Sequence, residues 1–184
     1  DVERSRGLGD VYKRQYDYTK DVPLKTLEIA FDANCNLACS YCNASFSTQW
    51  QNDIKKNGAY QNLVSDGARA FQQDGSWAMP YGKRNEGNPY VDAFFKWWDM
   101  ELKDTLEELR VTGGEATMSP DFWRLIEWWK QNPDCNVRFS VNSNLGAKPQ
   151  LMKKLVEATH SFKQFDLYTS VSYTHLTLPT NREV

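Results

Sequence analysis

The sequence is poor in histidine, in net charge and in long apolar runs, and each shortage removes a class of function. Two histidines, His160 and His175, leave little room for histidine-based catalysis. No apolar run approaches the roughly 20 residues that cross a bilayer, and no charged-then-apolar signal opens the chain, so neither a membrane span nor secretion is expected. A net charge of −2 argues against a nucleic-acid binder that works by bulk charge. No Gly-x-Gly-x-x-Gly follows an apolar run, which removes the usual dinucleotide-binding turn. Cysteine is scarce as well, four in 184 residues, yet Cys35, Cys39 and Cys42 crowd into one short loop. Disulfides inside so short a loop would stabilise little, so the expected use is reduced and metal-binding, in the cytoplasm.

Both ends of the chain read as translated adapter sequence. Asp10-Val11-Tyr12-Lys13-Arg14-Gln15 is what GAT GTG TAT AAG AGA CAG encodes, which resembles the transposase mosaic end used in sequencing libraries. The adapter bases that precede it, TCT CGT GGG CTC GGA, give Ser5-Arg6-Gly7-Leu8-Gly9. The complementary strand, GTC TCT TAT ACA CAT CTG ACG CTG CCG ACG, gives Val171 through Thr180. Residues 1–15 and 170–184 are therefore expected to be adapter-derived and without function, His175 included. The genuine segment is expected to run from Tyr16 to Thr169 and to be cut at both ends.

Within that segment, strand and helix signals alternate. Leu27-Glu28-Ile29-Ala30-Phe31 predicts a strand that runs into the cysteine loop. Residues 43–89 are polar, with Trp50, Trp77 and Tyr81 scattered through them, and predict an insertion with short helices or a lid over a substrate. From Tyr90 to Leu106 the spacing of Val91, Phe94, Phe95, Trp98 and Leu102 predicts a helix. Leu109 to Thr112 predicts a second strand, closing on Gly113-Gly114-Glu115. Ser119 as an N-cap and Pro120 at the first position predict a helix with Phe122, Leu125, Ile126 and Trp129 on one face. A third strand over Val137–Val141 closes on Asn142-Ser143-Asn144, and Pro149 opens a helix with Met152, Leu155, Val156 and Thr159 on one face. Phe165 to Tyr168 begins a fourth strand. Phe94, Trp98, Trp123 and Trp129 are expected in the core.

This alternation is the signature of βαβ units on a parallel sheet, so the expected class is α/β. Ligand sites in such sheets gather at the carboxyl ends of the strands. The cysteine loop, Gly-Gly-Glu and Asn-Ser-Asn all follow strands, and should meet in one site. Three thiolates in a compact loop can hold zinc or one corner of an iron–sulfur cluster. A structural zinc site wants a fourth ligand nearby, and Cys135 precedes strand three at the opposite end of the sheet.

Cys35-x-x-x-Cys39-x-Tyr41-Cys42, with an aromatic residue before the last cysteine, resembles the cluster motif of the radical S-adenosylmethionine superfamily. Gly113-Gly114-Glu115 after the next strand is similar to that family's second motif. The resemblance covers about residues 28–169 and implies a partial TIM-like (β/α) barrel, truncated after about four βα units. It implies that Cys35, Cys39 and Cys42 bind three irons of a [4Fe–4S] cluster, whose fourth iron takes the amino and carboxylate groups of S-adenosylmethionine. By the same resemblance Tyr41 lies beside the adenine, Gly113 and Gly114 let the backbone approach, and Glu115 accepts a bond from the methionine ammonium. Asn142, Ser143 and Asn144 fall where relatives place polar groups at the ribose or carboxylate.

The implied activity is reductive cleavage to methionine and a 5′-deoxyadenosyl radical, which abstracts hydrogen from a peptide, nucleoside or small-molecule substrate. An external one-electron donor such as a flavodoxin or ferredoxin is the implied partner. The alternatives are a non-enzymatic zinc-binding cysteine module and an electron-transfer iron–sulfur protein.

Overall fold

Each strand alternates apolar with polar residues, and this alternation gives the sheet two unlike faces. The computed structural model describes residues 21–62 and 87–169. The adapter-like ends, His175 and the part of the insertion that holds Trp77 and Tyr81 lie outside the described residues. Four strands, β1 (Thr26–Ala30), β2 (Glu108–Thr112), β3 (Arg138–Ser143) and β4 (Phe165–Thr169), form one sheet in the order β1-β2-β3-β4. Every pairing is parallel. Parallel neighbours need crossover connections, and these carry the helices. The α/β class expected from the sequence is the one adopted.

Four helices accompany the sheet: α1 (Thr48–Asn57), α2 (Pro89–Trp97), α3 (Pro120–Gln131) and α4 (Pro149–Ala158). The last three open on proline, whose fixed φ suits the first turn and whose missing N–H is not needed there. The helix expected over Tyr90–Leu106 is less regular than its spacing implied. A π turn at Trp98–Leu102 interrupts it before a last α turn at Lys103–Thr105.

Three further details depart from the sequence reading. Ser119 occupies the N-cap position of α3, but its hydroxyl makes no capping bond and is buried without a partner. Val156 is exposed, and α4 instead buries Leu155 and Ala158. Strand β3 continues through Ser143, so Asn142 and Ser143 are strand residues rather than loop residues.

Leu27 and Ile29, Leu109 and Val111, Phe139 and Val141, and Phe165 all pack with α2, α3 and α4 in one core. The opposite face is polar. The register sets Glu28, Arg110, Ser140 and Asp166 in one row across all four strands. On that face Glu108 accepts from Arg110 Nη2 at 3.0 Å and from Ser140 Oγ at 2.9 Å. Ser140 Oγ is the first cause that holds the Glu108 carboxyl below its ordinary range, ahead of Arg110. A parallel sheet covered by helices on both sides would read as nearly continuous apolar runs; among the described residues α2, α3 and α4 all pack on the apolar face. Among the described residues no helix is long and apolar enough to cross a membrane.

The core is aromatic, as the Trp-rich helix faces implied. Trp98, Trp129, Phe122 and Phe139 are fully buried, Phe94 is buried, and Trp123 packs on the cluster while partly exposed. Trp129 links α3 to the π turn and to β3, with its ring 5.1 Å from Trp98 and 4.7 Å from Phe139. Such pairs contribute about 0.5–1.5 kcal/mol each beyond the area they bury. Trp129→Ala should therefore cost about 3–5 kcal/mol by urea unfolding. Met100→Ala, on the solvent side of the π turn and 82% exposed, should stay within about 0.5 kcal/mol of the parent.

Candidate functional site

The three polar loops do meet at the carboxyl ends of β1, β2 and β3, and hydrogen bonds between distant residues hold them there. The cysteine loop leaves β1 after Phe31. A backbone bond from Cys42 N–H to Cys39 O, 3.0 Å, closes its last turn. The first turn of α1 braces it from behind. Thr48 Oγ1 accepts from Cys35 N–H and donates to Cys35 O, both at 3.1 Å. Ser47 Oγ donates to Leu37 O at 2.7 Å, and Trp50 Nε1 donates to Cys39 O at 3.0 Å. Ala44 and Ile54 form a small second core with Trp50 and Tyr60. The stretch from Asn43 to Asn62, read from sequence as the start of a lid, thus serves as a brace for the cysteine loop. The rest of that insertion lies outside the described residues.

Glu115 joins the other two loops. It is 1% exposed, and a carboxylate so far from water needs donors on its oxygens. Its Oε1 accepts from Thr117 Oγ1 (2.5 Å), Ser143 Oγ (2.8 Å) and Thr117 N–H (3.3 Å). Its Oε2 accepts from Asn144 N–H at 2.7 Å, and its own N–H donates to Asn34 O at 2.6 Å. One residue therefore ties together the ends of all three strands.

The two glycines before it allow that approach. Gly113 adopts φ +94°, and a Cβ there would lie 2.8 Å from Ala30 Cβ. A Cβ on Gly114 would lie 2.2 Å from Asn34 O. The close contact that demands glycine is with the chain's own first loop, while the glycine backbone also faces the cavity.

That cavity, about 380 Å³, is lined by Cys35, Cys39, Cys42, Leu37, Tyr41, Phe46, Gly113, Gly114 and Asn144. Cys35 and Cys39 are buried, Cys42 is half-buried, and Tyr41 is exposed at the mouth. Burial pushes the Cys35 and Cys42 thiols up from the ordinary range, and the neighbouring cysteines add to the shift. Both thiols must lose protons to ligate a metal, so metal uptake releases protons.

Among the described residues no three His, Cys, Asp or Glu side chains converge tightly enough to hold one ion. A cubane takes thiolates on separate irons, so its ligands surround a volume rather than a point. Three thiols around one cavity, with apolar Leu37 and Phe46 between them, are a donor set that fits such a group. Asn34 Nδ2 and Asn142 Oδ1 are among the buried polar atoms that have no hydrogen-bond partner. Groups of that kind call for an unseen partner such as a ligand or water.

The expected site residues separate into three groups. Cys35, Cys39, Cys42, Tyr41, Gly113, Gly114 and Asn144 share the cavity wall. Glu115 and Ser143 are buried behind it as a clasp, and Asn142 lies in β3 opposite Tyr168 of β4. Sequence reasoning missed Asn34, Asn36, Ser47, Thr48 and Gly146, and it placed Trp50 in the insertion without its bond to the cysteine loop. Only Ser47, an N-cap of α1 by its bond from Gln49 N–H, carried a local signal. Cys135 lines a different cavity, with Lys103, Asp104 and Trp128.

The clasp makes a sharp prediction. Glu115→Gln turns one acceptor into a donor facing donors and should destabilise the fold by about 1–3 kcal/mol. Gly114→Ala forces Cβ against a backbone carbonyl and should cost about as much or more. Denaturant midpoints measure both, and an unchanged midpoint for Glu115→Gln would show that the clasp carries no stability. No family model matches the chain, and no curated protein and no solved structure matches it either.

Proposed function

We propose that the chain is core sequence of a radical S-adenosylmethionine enzyme, with its four βα units forming part of a TIM-like barrel. The observation that carries this reading is the shared wall: three cysteine thiols and two glycine backbones line one cavity at the carboxyl ends of parallel strands. The helices on the apolar face and the polar opposite face also suit a barrel wall, where one face looks inward.

In this reading Cys35, Cys39 and Cys42 hold three irons of a [4Fe–4S] cluster, and Leu37 and Phe46 give its cavity apolar wall. Tyr41 offers a ring at the mouth for the adenine, and the orphaned Asn142 Oδ1 is an acceptor for a ribose hydroxyl. The Gly113 and Gly114 backbones lie against the bound cofactor. When bound, the cluster and S-adenosylmethionine supply one-electron reductive cleavage of a carbon–sulfur bond and hydrogen abstraction from a substrate. Glu115 serves by fixing the loops, because its oxygens already accept four protein donors; a methionine ammonium would have to share them. An external one-electron donor completes the proposed system, and the protein acts in the cytoplasm, where thiols stay reduced.

Anaerobic reconstitution with iron and sulfide tests this directly. The expected product is brown, carries four irons per chain, and loses its colour in Cys39→Ala and in Cys42→Ala. Adding S-adenosylmethionine should alter the electron paramagnetic resonance of the reduced cluster. A colourless protein with stoichiometric zinc, or a cluster whose fourth iron is held by the protein, overturns the proposal.

A further inference from the structure

We infer that Asn144 is a positioning residue that raises the reduction potential of the cluster by donating an N–H to the sulfur of Cys35. The inference rests on the reading of Cys35 as a cluster ligand. Asn144 Nδ2 lies 3.7 Å from Cys35 Sγ, and this N–H joins the loop after β3 directly to one of the three thiols.

The orientation of that amide is over-determined. Asn144 Oδ1 accepts from Gly146 N–H at 2.7 Å, and a backbone N–H can only donate. Nδ2 must therefore point the other way, toward Asn36 Oδ1 at 3.0 Å and toward the sulfur. Asn36 cannot flip to oppose it, because its own Nδ2 donates to Gly146 O at 2.7 Å. The Asn144 backbone N–H is in turn held by Glu115 Oε2. Leu145 is driven to φ +54° to make this turn, a costly conformation for a bulky residue. A Cβ on Gly146 would lie 2.7 Å from Asn36 Nδ2 and 3.0 Å from Asn144 Oδ1, so a side chain there would push the two amides out of this arrangement. One hydrogen of the Asn144 amide serves Asn36, and the second has the sulfur before it.

A hydrogen bond to a ligating sulfur stabilises negative charge on it, and a reduced cluster carries one more electron than an oxidised one. The donor therefore favours the reduced state, and its removal makes the cluster harder to reduce. A role confined to fastening the loop would leave the potential unchanged.

The test uses the full chain, reconstituted anaerobically, with the reduced fraction followed by electron paramagnetic resonance during a redox titration. Asn144→Ala should lower the reduced-to-oxidised ratio at fixed potential about tenfold, or about 59 mV for a one-electron couple. Asn36→Ala breaks the same loop network but keeps the donor on sulfur, and should move the potential much less. Equal potentials in the parent and Asn144→Ala overturn the inference, as do equal shifts in both variants.

Should Asn144→Ala fail to load, pulsed resonance on the parent labelled with 15N-asparagine gives the answer. Coupling from an asparagine amide to the cluster supports the inference, and its absence overturns it. A parent chain that forms no cluster overturns the cluster reading itself, whereas a normal cluster with an unshifted potential overturns the role of Asn144 alone.

Discussion

A carboxylate removed from water must be surrounded by donors, and Glu115 meets this demand with groups from the turn after β2 and from the end of β3 while its N–H grips the first loop. The positions of the three loops follow from that one requirement. Ser143 faces inward at the end of β3 because its hydroxyl is needed there. Gly114 must lack a side chain because the backbone of Asn34 occupies the space. Asn144 begins its turn with its N–H already committed. Glu115 itself is fixed from several sides, with four hydrogen bonds to its carboxylate and one from its N–H.

The cysteine loop receives its second support from α1 rather than from the sheet. Ser47, Thr48 and Trp50 hold the loop through backbone atoms of Leu37, Cys35 and Cys39. A loop with three cysteines and little regular structure would otherwise pay a large conformational entropy on ordering. Burial raises the Cys35 and Cys42 thiols, so the metal-free loop favours protonated sulfur. Any metal it takes must displace those protons.

Below this site the aromatic core and the alternating strands do simpler work. Trp98, Trp129, Phe122 and Phe139 fill the space between sheet and helices and fix the strand ends relative to one another. The polar row through Glu28, Arg110, Ser140 and Asp166 keeps the other face from becoming a second core. The charge pairs on that face are partly exposed, so they contribute little stability and mainly define chemical character.

Local chemistry made the strands, the three proline-led helices and their aromatic faces legible, because alternation, capping and helical spacing act within a few residues. The same logic failed at Val156, where spacing alone did not tell which side of α4 meets the sheet, and at Trp98, where a π turn follows from packing. The convergence of cysteines, glycines and Asn144 was readable from their positions after strands. The clasp role of Glu115 and the parts played by Asn36, Thr48 and Gly146 were not. By itself the sequence determined the elements and which loops lie at one end of the sheet; the tertiary structure alone decided which atoms touch there. The bonds concerned join residues 13 to 110 positions apart, and no local pattern encodes a partner at such a distance.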